Sequence, residues 1–369
     1  MKLLITSAGS LVGQNILDSL VHKRDRIEVI GMNSDAANPR IFRCDRSYLV
    51  PPLDQSGSFE DRFLDIIAKE DPDMILAGRD HDVVFLAEIK QRRPDLKKKI
   101  PFGEAGQAAM MQDKYLSFQY ALEKGLPFAD SFLCCGSRDT GGLQSFLSGY
   151  SFPLLAKPRW GFGSLGVRYL LNQEQVDGFI AQAGDTEILF QEYLGPMQDF
   201  EQYARQLRYG VPLFSQIPEK NQFAAQVILS PEGTVSEVFI SINTMVSGRA
   251  EYSRRIEAPD IEEIVLRYAR ALYRDGWYGP LNLQLKQDRQ SRWKVFEFNP
   301  RMTGTTSARY LLGYDEIGIL TDFFLTDMKL PNHTRTQKPA GVVFKYLTDE
   351  YLSDADVKQM EDDRAWEKS

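Results

Sequence analysis

Oxygen-bearing side chains occupy alternate positions in a short segment of the last third of the chain. In Lys294–Asn299, charged or polar residues alternate with apolar ones, which is typical of a half-buried β-strand. Because strand side chains point alternately to two faces, Glu297 and Asn299 are predicted on one face, and Phe296 and Phe298 on the other. The polar face therefore offers a carboxylate and an amide oxygen at one spot.

The preceding segment carries the same pattern. Gly279–Lys286 also alternates, with Asn282 and Gln284 on one face, and a short polar turn joins it to the next strand. A hairpin that closes in the middle of this turn places Gln284 opposite Glu297 and Asn282 opposite Asn299. Such cross-strand neighbours are about 5 Å apart at Cβ. Four oxygen-bearing side chains are thus predicted to share one patch of sheet.

The residues after the second strand favour a functional site over the plainer alternative, an exposed polar face of a hairpin. Pro300 ends the strand, and Arg301 is followed by Thr303–Thr306 at the start of an apolar-periodic run. Carboxylate and amide oxygens are ligands for Mg²⁺, whereas a guanidinium and helix N-terminal N–H groups bind anions. The stretch suits metal–phosphate chemistry, with Thr303 and Thr305 as candidate ligands of an acceptor carboxylate.

A lysine inside an apolar strand, followed by a glycine-rich loop, predicts a second contact with phosphate. Lys157 lies in Phe152–Pro158, and a lysine in such a strand usually has an anionic partner. In Arg159–Val167, glycines let backbone N–H groups approach phosphate oxygens, and Ser164 adds a hydroxyl. The glycines are Gly161, Gly163 and Gly166. A Walker P-loop is excluded, because no Gly-Lys-Ser/Thr precedes a helix here.

With these elements in this order, the sequence resembles the ATP-grasp superfamily, and within it the large-chain domains of carbamoyl-phosphate synthase. The matching residues are Gln284 on the first strand and Glu297-Phe298-Asn299-Pro300-Arg301 on the second. The resemblance implies that Gln284, Glu297 and Asn299 hold two Mg²⁺ ions against the ATP phosphates, with Mn²⁺ as a substitute. It also implies that Arg301 and Lys157 act in catalysis, Arg301 near the transferred phosphoryl group.

The same resemblance assigns the other contacts to ATP. Asp113 is a good N-cap for a helix that begins at Lys114, the position of a nucleotide-facing lysine in the superfamily. The strand 188–194 matches the adenine hinge, whose backbone groups around Glu192, Tyr193 and Leu194 meet the base. The ribose-binding acid is expected at Asp199, with Glu201 as the alternative.

The first hundred residues predict a Rossmann-like unit. Lys2–Thr6 is an apolar run that leads into a loop with only two glycines, Gly9 and Gly13, and then into a helix. The third glycine of a dinucleotide motif is missing, so NAD is disfavoured. Because ligands sit at the carboxyl ends of strands in open α/β sheets, Ser10 and Asp80 are candidate substrate ligands.

The predicted fold class is α/β (α+β), with a Rossmann-like pre-ATP-grasp domain followed by a two-lobed ATP-grasp domain. The expected boundaries are 1–105 for the first domain and 106–330 for the second, with lobes at about 115–190 and 191–330. Residues 331–369 are expected to form a late strand and a charged, mobile tail. Two further interpretations are a strand within 203–216 and a helix capped by Asp260.

Composition limits the possible partners and the cellular compartment of the protein. A formal charge of −7 argues against nucleic-acid binding, and no apolar run reaches the length of a membrane span. Three cysteines form neither a metal-spaced set nor an even disulfide framework. With no signal peptide at the start, we expect a cytoplasmic protein without a membrane partner, for which a homodimer stays open.

These observations predict an ATP-dependent ligase that phosphorylates a small-molecule carboxylate and joins it to an amine, releasing ADP and phosphate. Arg249 and Arg255 are candidates for binding an acidic substrate, although a solvated charge run is the alternative. Two other functions stay open: phosphorylation of carbamate or bicarbonate, and nucleotide sensing without turnover. The sequence does not identify the acid, or whether the nucleophile is an amine, ammonia or a thiol.

Overall fold

The computed structural model describes residues 1–135, 140–161, 163–207, 221–246, 248–325, 341–345 and 353–368. Its strands, in chain order, are β1 Lys2–Ile5, β2 Glu28–Asn33, β3 Arg46–Leu49, β4 Met74–Leu76, β5 Ser131–Cys135, β6 Leu154–Pro158, β7 Arg168–Leu170, β8 Glu187–Glu192, β9 Gln222–Leu229, β10 Phe239–Val246, β11 Arg249–Ile256, β12 Gly279–Gln287, β13 Trp293–Asn299, β14 Val343–Phe344 and β15 Ala365–Glu367.

Its α-helices are α1 Leu11–Ser19, α2 Ser56–Glu70, α3 Asp80–Arg92, α4 Ala105–Gln112, α5 Lys114–Glu123, α6 Thr140–Ser148, α7 Gln173–Ala183, α8 Met197–Leu207, α9 Pro259–Arg274, α10 Thr306–Leu311, α11 Glu316–Phe324 and α12 Asp354–Asp363. Two short 3₁₀ helices span Pro39–Arg43 and Pro94–Leu96. In this part of the chain, no helix is both long enough and apolar enough to cross a membrane.

The N-terminal sheet has the strand order β15-β3-β2-β1-β4, and its four N-terminal strands are parallel. The apolar side chains of β1 are fully buried, as expected for a parallel sheet covered on both faces. The carboxyl ends of β2, β1 and β4 lie side by side at one edge. The loops that follow them carry Arg40, Ser10 and Arg79, so this edge can hold a ligand.

The C-terminal segment departs from the expectation of a mobile tail. α12 is capped by Ser353, whose Oγ accepts from the N–H of Asp356. β15 then pairs antiparallel with β3, and Trp366 packs edge-on against Phe42 at 5.0 Å between ring centroids. The end of the chain therefore covers the free edge of the N-terminal sheet, which a sequence pattern of charged residues does not reveal.

The second sheet is antiparallel, with the order β13-β12-β9-β10-β11-β14. The predicted hairpin register is confirmed, because Asn282 pairs with Asn299 and Gln284 with Glu297. A bulge follows, since the next paired residues are Leu285 and Val295. The third sheet, β5-β8-β6-β7, is also antiparallel and carries the glycine-rich loop between β6 and β7.

The helix that follows β11 supports the second sheet from its outer face. α9 buries one apolar stripe, including Ile261, Val265 and Leu272, as its 3.6-residue spacing predicts. The expectation that Asp260 caps this helix is wrong. Ala258 occupies the N-cap position and Pro259 the first helical position, where the missing proline N–H costs nothing.

The expected strand 203–216 is also wrong in the part that the structure describes. Residues up to Leu207 belong to α8, and residues 208–220 lie outside the described ranges. The sequence does not separate a short amphipathic helix from a strand at this length. The α/β fold class is confirmed; the expected domain boundaries stay a prediction.

Candidate active site

One cavity of about 1070 Å³ lies where the three sheets meet. Its wall combines the loops at the carboxyl edge of the N-terminal sheet, the glycine-rich loop, the end of β8 and the polar face of the β12–β13 hairpin. Residues that are far apart in sequence thus face one space. The predicted residues that line it are Ser10, Asp80, Lys114, Lys157, Gly161, Gly163, Ser164, Glu192, Tyr193, Leu194, Arg249, Gln284, Glu297, Asn299, Arg301, Thr303 and Thr305.

The hairpin presents its oxygen-bearing side chains to the cavity as its register requires. Gln222 of β9 donates its Nε2 to Gln284 Oε1 at 2.5 Å, and this contact orients the amide oxygen. Asn282 donates its Nδ2 to the carbonyl of Ala225 at 3.1 Å. The bulge changes one prediction: Phe296 was expected on the opposite face, but it also lines the cavity. A two-residue period cannot anticipate a bulge.

The donor set of this patch fits Mg²⁺ that is shared with phosphate oxygens. Gln284, Glu297 and Asn299 offer one carboxylate and two amide oxygens, all hard donors. The Glu297 carboxylate accepts no hydrogen bond from the described residues, so its oxygens are available. Within the same ranges no group of three or more His, Cys, Asp or Glu residues could hold a metal. The patch therefore suits an ion that completes its coordination with a ligand.

Lys157 is a buried cation beside this patch. Its side chain is 4% exposed, and Nζ donates to Gln191 Oε1 at 2.8 Å and to the carbonyl of Phe296 at 3.4 Å. Burial lowers the pKa of Lys157 to about 7, against the opposing influence of the Glu297 carboxylate. An anion beside Nζ would restore its full charge, because an opposite charge favours the protonated form.

The glycine-rich loop is held at both ends. Lys114 donates its Nζ to the carbonyl of Gly161 at 2.7 Å. Arg159 at the start of the loop bonds the carboxylates of Asp113 at 2.7 Å and Glu187 at 3.0 Å. Gly166 at its end has a φ of +76°, and a Cβ there would approach the Pro158 side chain to 2.9 Å. Gly161, Gly163 and Ser164, which lie between these ends, line the cavity.

The loop also contacts the β10–β11 turn across the cavity mouth. Gly248 has a φ of +74°, and a Cβ there would lie 2.5 Å from the carbonyl oxygen of Gly163. A side chain at Gly248 would push the two loops apart. This turn joins the end of β10, at Val246, to the start of β11, at Arg249.

Aromatic residues from neighbouring elements cluster at the end of β8: Tyr169 of β7 and Tyr193 line the cavity, and Phe200 of α8 packs against both. The rings of Tyr169, Tyr193 and Phe200 lie within 5.2 to 5.9 Å of one another between centroids. The Glu192 carboxylate forms an ion pair with Lys294 and accepts the N–H of Asp130 at 2.8 Å. The side chain of Asp199, the expected ribose ligand, lies outside the described residues. The expected hinge is thus lined by aromatic rings, and the Glu192 carboxylate is committed to a fixed contact.

Arg301 meets the N-terminal sheet through a bidentate ion pair. Its Nε donates to Asp80 Oδ1 at 2.6 Å and its Nη2 to Asp80 Oδ2 at 2.8 Å. A weaker contact at 3.4 Å joins Nη2 to Asn299 Oδ1. Burial lowers the pKa of Arg301, but the Asp80 charge more than offsets it and the pKa is raised. The guanidinium is therefore charged, oriented and next to the hairpin patch.

The threonine turn after Arg301 is organised by Arg309, a residue that the sequence interpretation missed. Arg309 is 2% exposed, and its Nη1 donates to Thr303 Oγ1 at 3.0 Å and Thr305 Oγ1 at 2.6 Å. Its Nε pairs with Glu316 at 2.7 Å. The two hydroxyls lie 2.9 Å apart and line the cavity. No local pattern marks Arg309, because an arginine on a short helix usually faces solvent.

Two predicted substrate ligands have other contacts. Ser10 Oγ donates to the carbonyl of Gly78 at 2.7 Å and accepts the N–H of Gly13 at 3.0 Å, so it caps α1 at the cavity wall. Arg255 does not line the cavity: it pairs with Glu237 and lies over the Phe239 ring at 4.9 Å. Arg40 and Arg79 line the cavity and were not predicted, although Arg79 directly precedes the predicted ligand Asp80.

Comparison with solved structures identifies the architecture. An L-amino acid ligase from Bacillus licheniformis is 14% identical, with a TM-score of 0.62 over 89% of this chain and 75% of that one. A carboxyaminoimidazole ribonucleotide synthase from Aspergillus clavatus, complexed with ATP, is 14% identical, with a TM-score of 0.59 over 90% and 78%. The chain has the ATP-grasp fold.

A third neighbour adds a carboxylase to these two synthetases. The biotin carboxylase domain of a 2-oxoglutarate carboxylase from Hydrogenobacter thermophilus, in complex with MgADP and bicarbonate, has a TM-score of 0.60 at 14% identity. The alignment covers 89% of this chain and 70% of that one. No family model matches the chain, and no curated protein sequence does. The ATP-grasp fold is thus established by its structure at low sequence identity.

Proposed function

We propose that the protein is an ATP-dependent ligase that activates a small carboxylic acid as an acyl phosphate and joins it to an amine. The observation that carries this proposal is the convergence of Glu297, Lys157 and the glycine-rich loop on one cavity. Each element alone has a structural explanation. Together, these elements can hold a metal-bound polyphosphate. The buried lysine and the glycine loop would bind phosphate, and the carboxylate with two amide oxygens would bind the metal.

ATP is proposed to lie between the third sheet and the hairpin. Its base would meet the backbone of Glu192 to Leu194 beside the ring of Tyr169, and its phosphates would meet Lys157 and Lys114. Asp199 is the proposed ribose ligand, with Glu201 as the alternative. Aromatic rings favour a nucleobase through stacking, and the glycine loop would supply N–H groups and the hydroxyl of Ser164 to phosphate oxygens.

Gln284, Glu297 and Asn299 are the proposed ligands of Mg²⁺, two ions in the full complex, with Mn²⁺ as the expected substitute. Bound Mg²⁺ would neutralise phosphate charge and hold the polyphosphate in position. Glu297 is the only carboxylate among these three ligands, so most of the charge complementarity comes from it. The two amide oxygens add ligands without adding charge.

The reaction needs no nucleophile from the protein. A carboxylate oxygen of the acceptor attacks the γ-phosphorus of ATP, and the bond from that phosphorus to the bridging oxygen of ADP breaks. The amine nitrogen then attacks the acyl carbon, loses a proton and displaces inorganic phosphate. Arg301 is proposed to stabilise the phosphoryl group during transfer, because its guanidinium is charged and oriented beside the hairpin. Thr303 and Thr305 are proposed to hold the acceptor carboxylate.

Phosphorylation of carbamate or bicarbonate is the second candidate. It is favoured by Gln284, since the resemblance to carbamoyl-phosphate synthase lies at that position. The same cavity would serve it, because bicarbonate also presents an oxygen nucleophile to the γ-phosphorus. The two candidates differ in the acid that triggers release of ADP.

The proposed function assigns a role to each part of the chain. We propose a substrate-binding domain at 1–105, an ATP-grasp domain at 106–330 and a C-terminal segment at 331–369. We propose a cytoplasmic protein that acts on small molecules, with a homodimer as its candidate oligomeric state. Sedimentation of the purified chain at several concentrations tests the dimer.

A screen of nucleotide products tests the function. The full-length protein is incubated with Mg²⁺, ATP and pairs of carboxylic acids and amines, and ADP, AMP and phosphate are measured separately. Ligation predicts ADP and phosphate only when both an acid and an amine are present. Release of ADP with bicarbonate alone favours the second candidate. Release of AMP and pyrophosphate contradicts both.

A further inference from the structure

The cavity is cationic although the chain is acidic. The chain has a formal charge of −7. The cavity wall nevertheless contains seven Lys or Arg residues against three Asp or Glu residues. A cavity wall of one sign attracts ligands of the opposite sign. Part of this charge serves the proposed ATP site, through Lys114 and Lys157, and Arg301 is already paired with Asp80.

Three of the cavity arginines have no such assignment. Arg40, Arg79 and Arg249 line the cavity, and in the described part of the chain their guanidinium groups have no hydrogen bond and no ion pair. All three side chains are exposed to the cavity solvent. A guanidinium presents several N–H donors in a planar fork that matches carboxylate and phosphate. Three of them in one wall exceed the need of a single acceptor carboxylate.

The fold brings two of these arginines together around the start of α1. Arg40 follows β2 and Arg79 follows β4, and β1 lies between these two strands. Their loops pack directly on the β1–α1 loop. A Cβ on Gly9 would lie 2.5 Å from the side-chain nitrogen of Asn38, and one on Gly78 would lie 2.3 Å from the carbonyl oxygen of Thr6. The backbones at Arg40 and Arg79 therefore flank the β1–α1 loop on either side.

Arg249 approaches the same region from the second sheet. It begins β11, whose turn contacts the glycine-rich loop through Gly248. Its charge acts on Lys345, and the Nζ of Lys345 donates to Asn15 Oδ1 in α1 at 2.7 Å. The threonine turn lies next to α1 as well, since Gly304 contacts Leu11. The backbone elements that carry the three arginines thus border the part of the cavity between the threonine turn and the N-terminal sheet.

We propose that the acceptor acid carries a second anionic group, a carboxylate or a phosphate, which Arg40, Arg79 and Arg249 bind. The inference rests on the proposed function and names the substrate class of that site. The reacting carboxylate lies at the threonine turn, and the second anionic group lies toward the N-terminal sheet. The arginines bind the end of the acceptor that does not react, so their role is specificity.

Matched acids test the inference by direct binding. Calorimetric titration of the full-length protein, with Mg²⁺ and a non-hydrolysable ATP analogue, compares aspartate with asparagine, glutarate with glutaramate, and 3-phosphoglycerate with glycerate. In each pair only one member has the second anionic group. We expect at least one acid with the second anionic group to bind tenfold or more tightly than its partner, which has only the one carboxylate. The pair that responds tells carboxylate from phosphate.

Charge-removing variants then locate the group. Arg79→Gln and Arg249→Gln should each weaken binding of the acid with two anionic groups about tenfold or more, the scale of one charge-assisted hydrogen bond. Both should leave the affinities for its monocarboxylate partner and for the ATP analogue unchanged. Arg270→Gln is the matched control, because Arg270 is an exposed arginine on α9 away from the cavity. It should bind every ligand as the wild type does.

The outcomes separate the inference from the proposed function. The inference is overturned if no pair shows a preference for the acid with the second anionic group, or if the preference survives in both cavity variants. The proposed function fails if the acids with two anionic groups bind but never trigger ADP release. If acids without the second anionic group trigger ADP release equally well, the ligase assignment stands and the inference falls.

Discussion

Replacing Lys157 by methionine should separate binding of ATP from stability of the fold. Methionine keeps the length and apolar character of the lysine stem, so the strand β6 keeps its packing. The change removes the donor to Gln191 Oε1 and to the carbonyl of Phe296. Gln191 keeps its Nε2 contact with Ser131 Oγ at 2.8 Å. The variant also removes a cation whose burial is unfavourable, as its lowered pKa indicates.

The expected effect on ATP affinity is larger than the expected effect on the stability of the fold. Loss of a hydrogen bond to an uncharged acceptor costs about 1 kcal/mol, and removal of a buried charge offsets this cost. The free energy of unfolding should therefore change by about 1 kcal/mol or less. A charge-assisted hydrogen bond to phosphate is worth about 1.5–3 kcal/mol. The Kd for Mg-ATP should therefore rise roughly tenfold to a hundredfold.

Calorimetric titration with Mg-ATP and denaturant unfolding measure the two effects on the same preparation. Lys90→Met is the matched control, because Lys90 is also a buried lysine with a lowered pKa but lies outside the cavity. Its Nζ donates to the Gly103 carbonyl at 3.0 Å and to the Tyr278 hydroxyl at 2.8 Å. It should bind Mg-ATP as the wild type does. Unchanged affinity in Lys157→Met would show that Lys157 only supports its strand.

Three further predictions concern the hairpin, the arginine beside it and a buried lysine. Glu297→Gln should abolish turnover and leave the chain folded, because its carboxylate accepts no hydrogen bond from a described group; near-normal activity with Mg²⁺ contradicts the metal site. Arg301→Lys should lower kcat far more than affinity for ATP, since it keeps the charge but loses the planar fork; a loss of thermal stability alone would make the Asp80 pair structural. The pKa of Lys90 is lowered to about 8, so the unfolded chain binds the extra proton between pH 8 and about 10.4. Across that window the unfolding free energy of the wild type should rise relative to Lys90→Met, by up to about 1.4 kcal/mol per pH unit, and parallel curves would refute the shift.

The hairpin could be predicted in register because its pattern is local. Alternation fixes which side chains share a face, and a short turn leaves few ways to align two strands. The bulge that brings Phe296 to the same wall has no local signal. The glycine-rich loop and the cap at Asp113 were likewise evident, since each depends on residues within a few positions.

The long-range contacts could not be predicted in this way. Arg301 and Asp80 are 221 positions apart, and only the packing of two sheets brings them together. Arg255 and Arg249 lie in one charged segment, yet their sheet positions send Arg249 to the cavity and Arg255 to Glu237. The resemblance supplied the order of the elements, whereas the tertiary structure decides which charges remain available to a ligand.

The central claim is that a carboxylate attacks the γ-phosphorus of ATP. Transfer of ¹⁸O from acid to phosphate tests it most directly. The acid that triggers ADP release is labelled in its carboxylate oxygens and incubated with enzyme, Mg²⁺, ATP and amine, and the phosphate is examined by mass spectrometry. The account predicts one ¹⁸O atom in each phosphate released, because the oxygen that attacks leaves with the phosphoryl group. Unlabelled phosphate, or AMP as the nucleotide product, would contradict it.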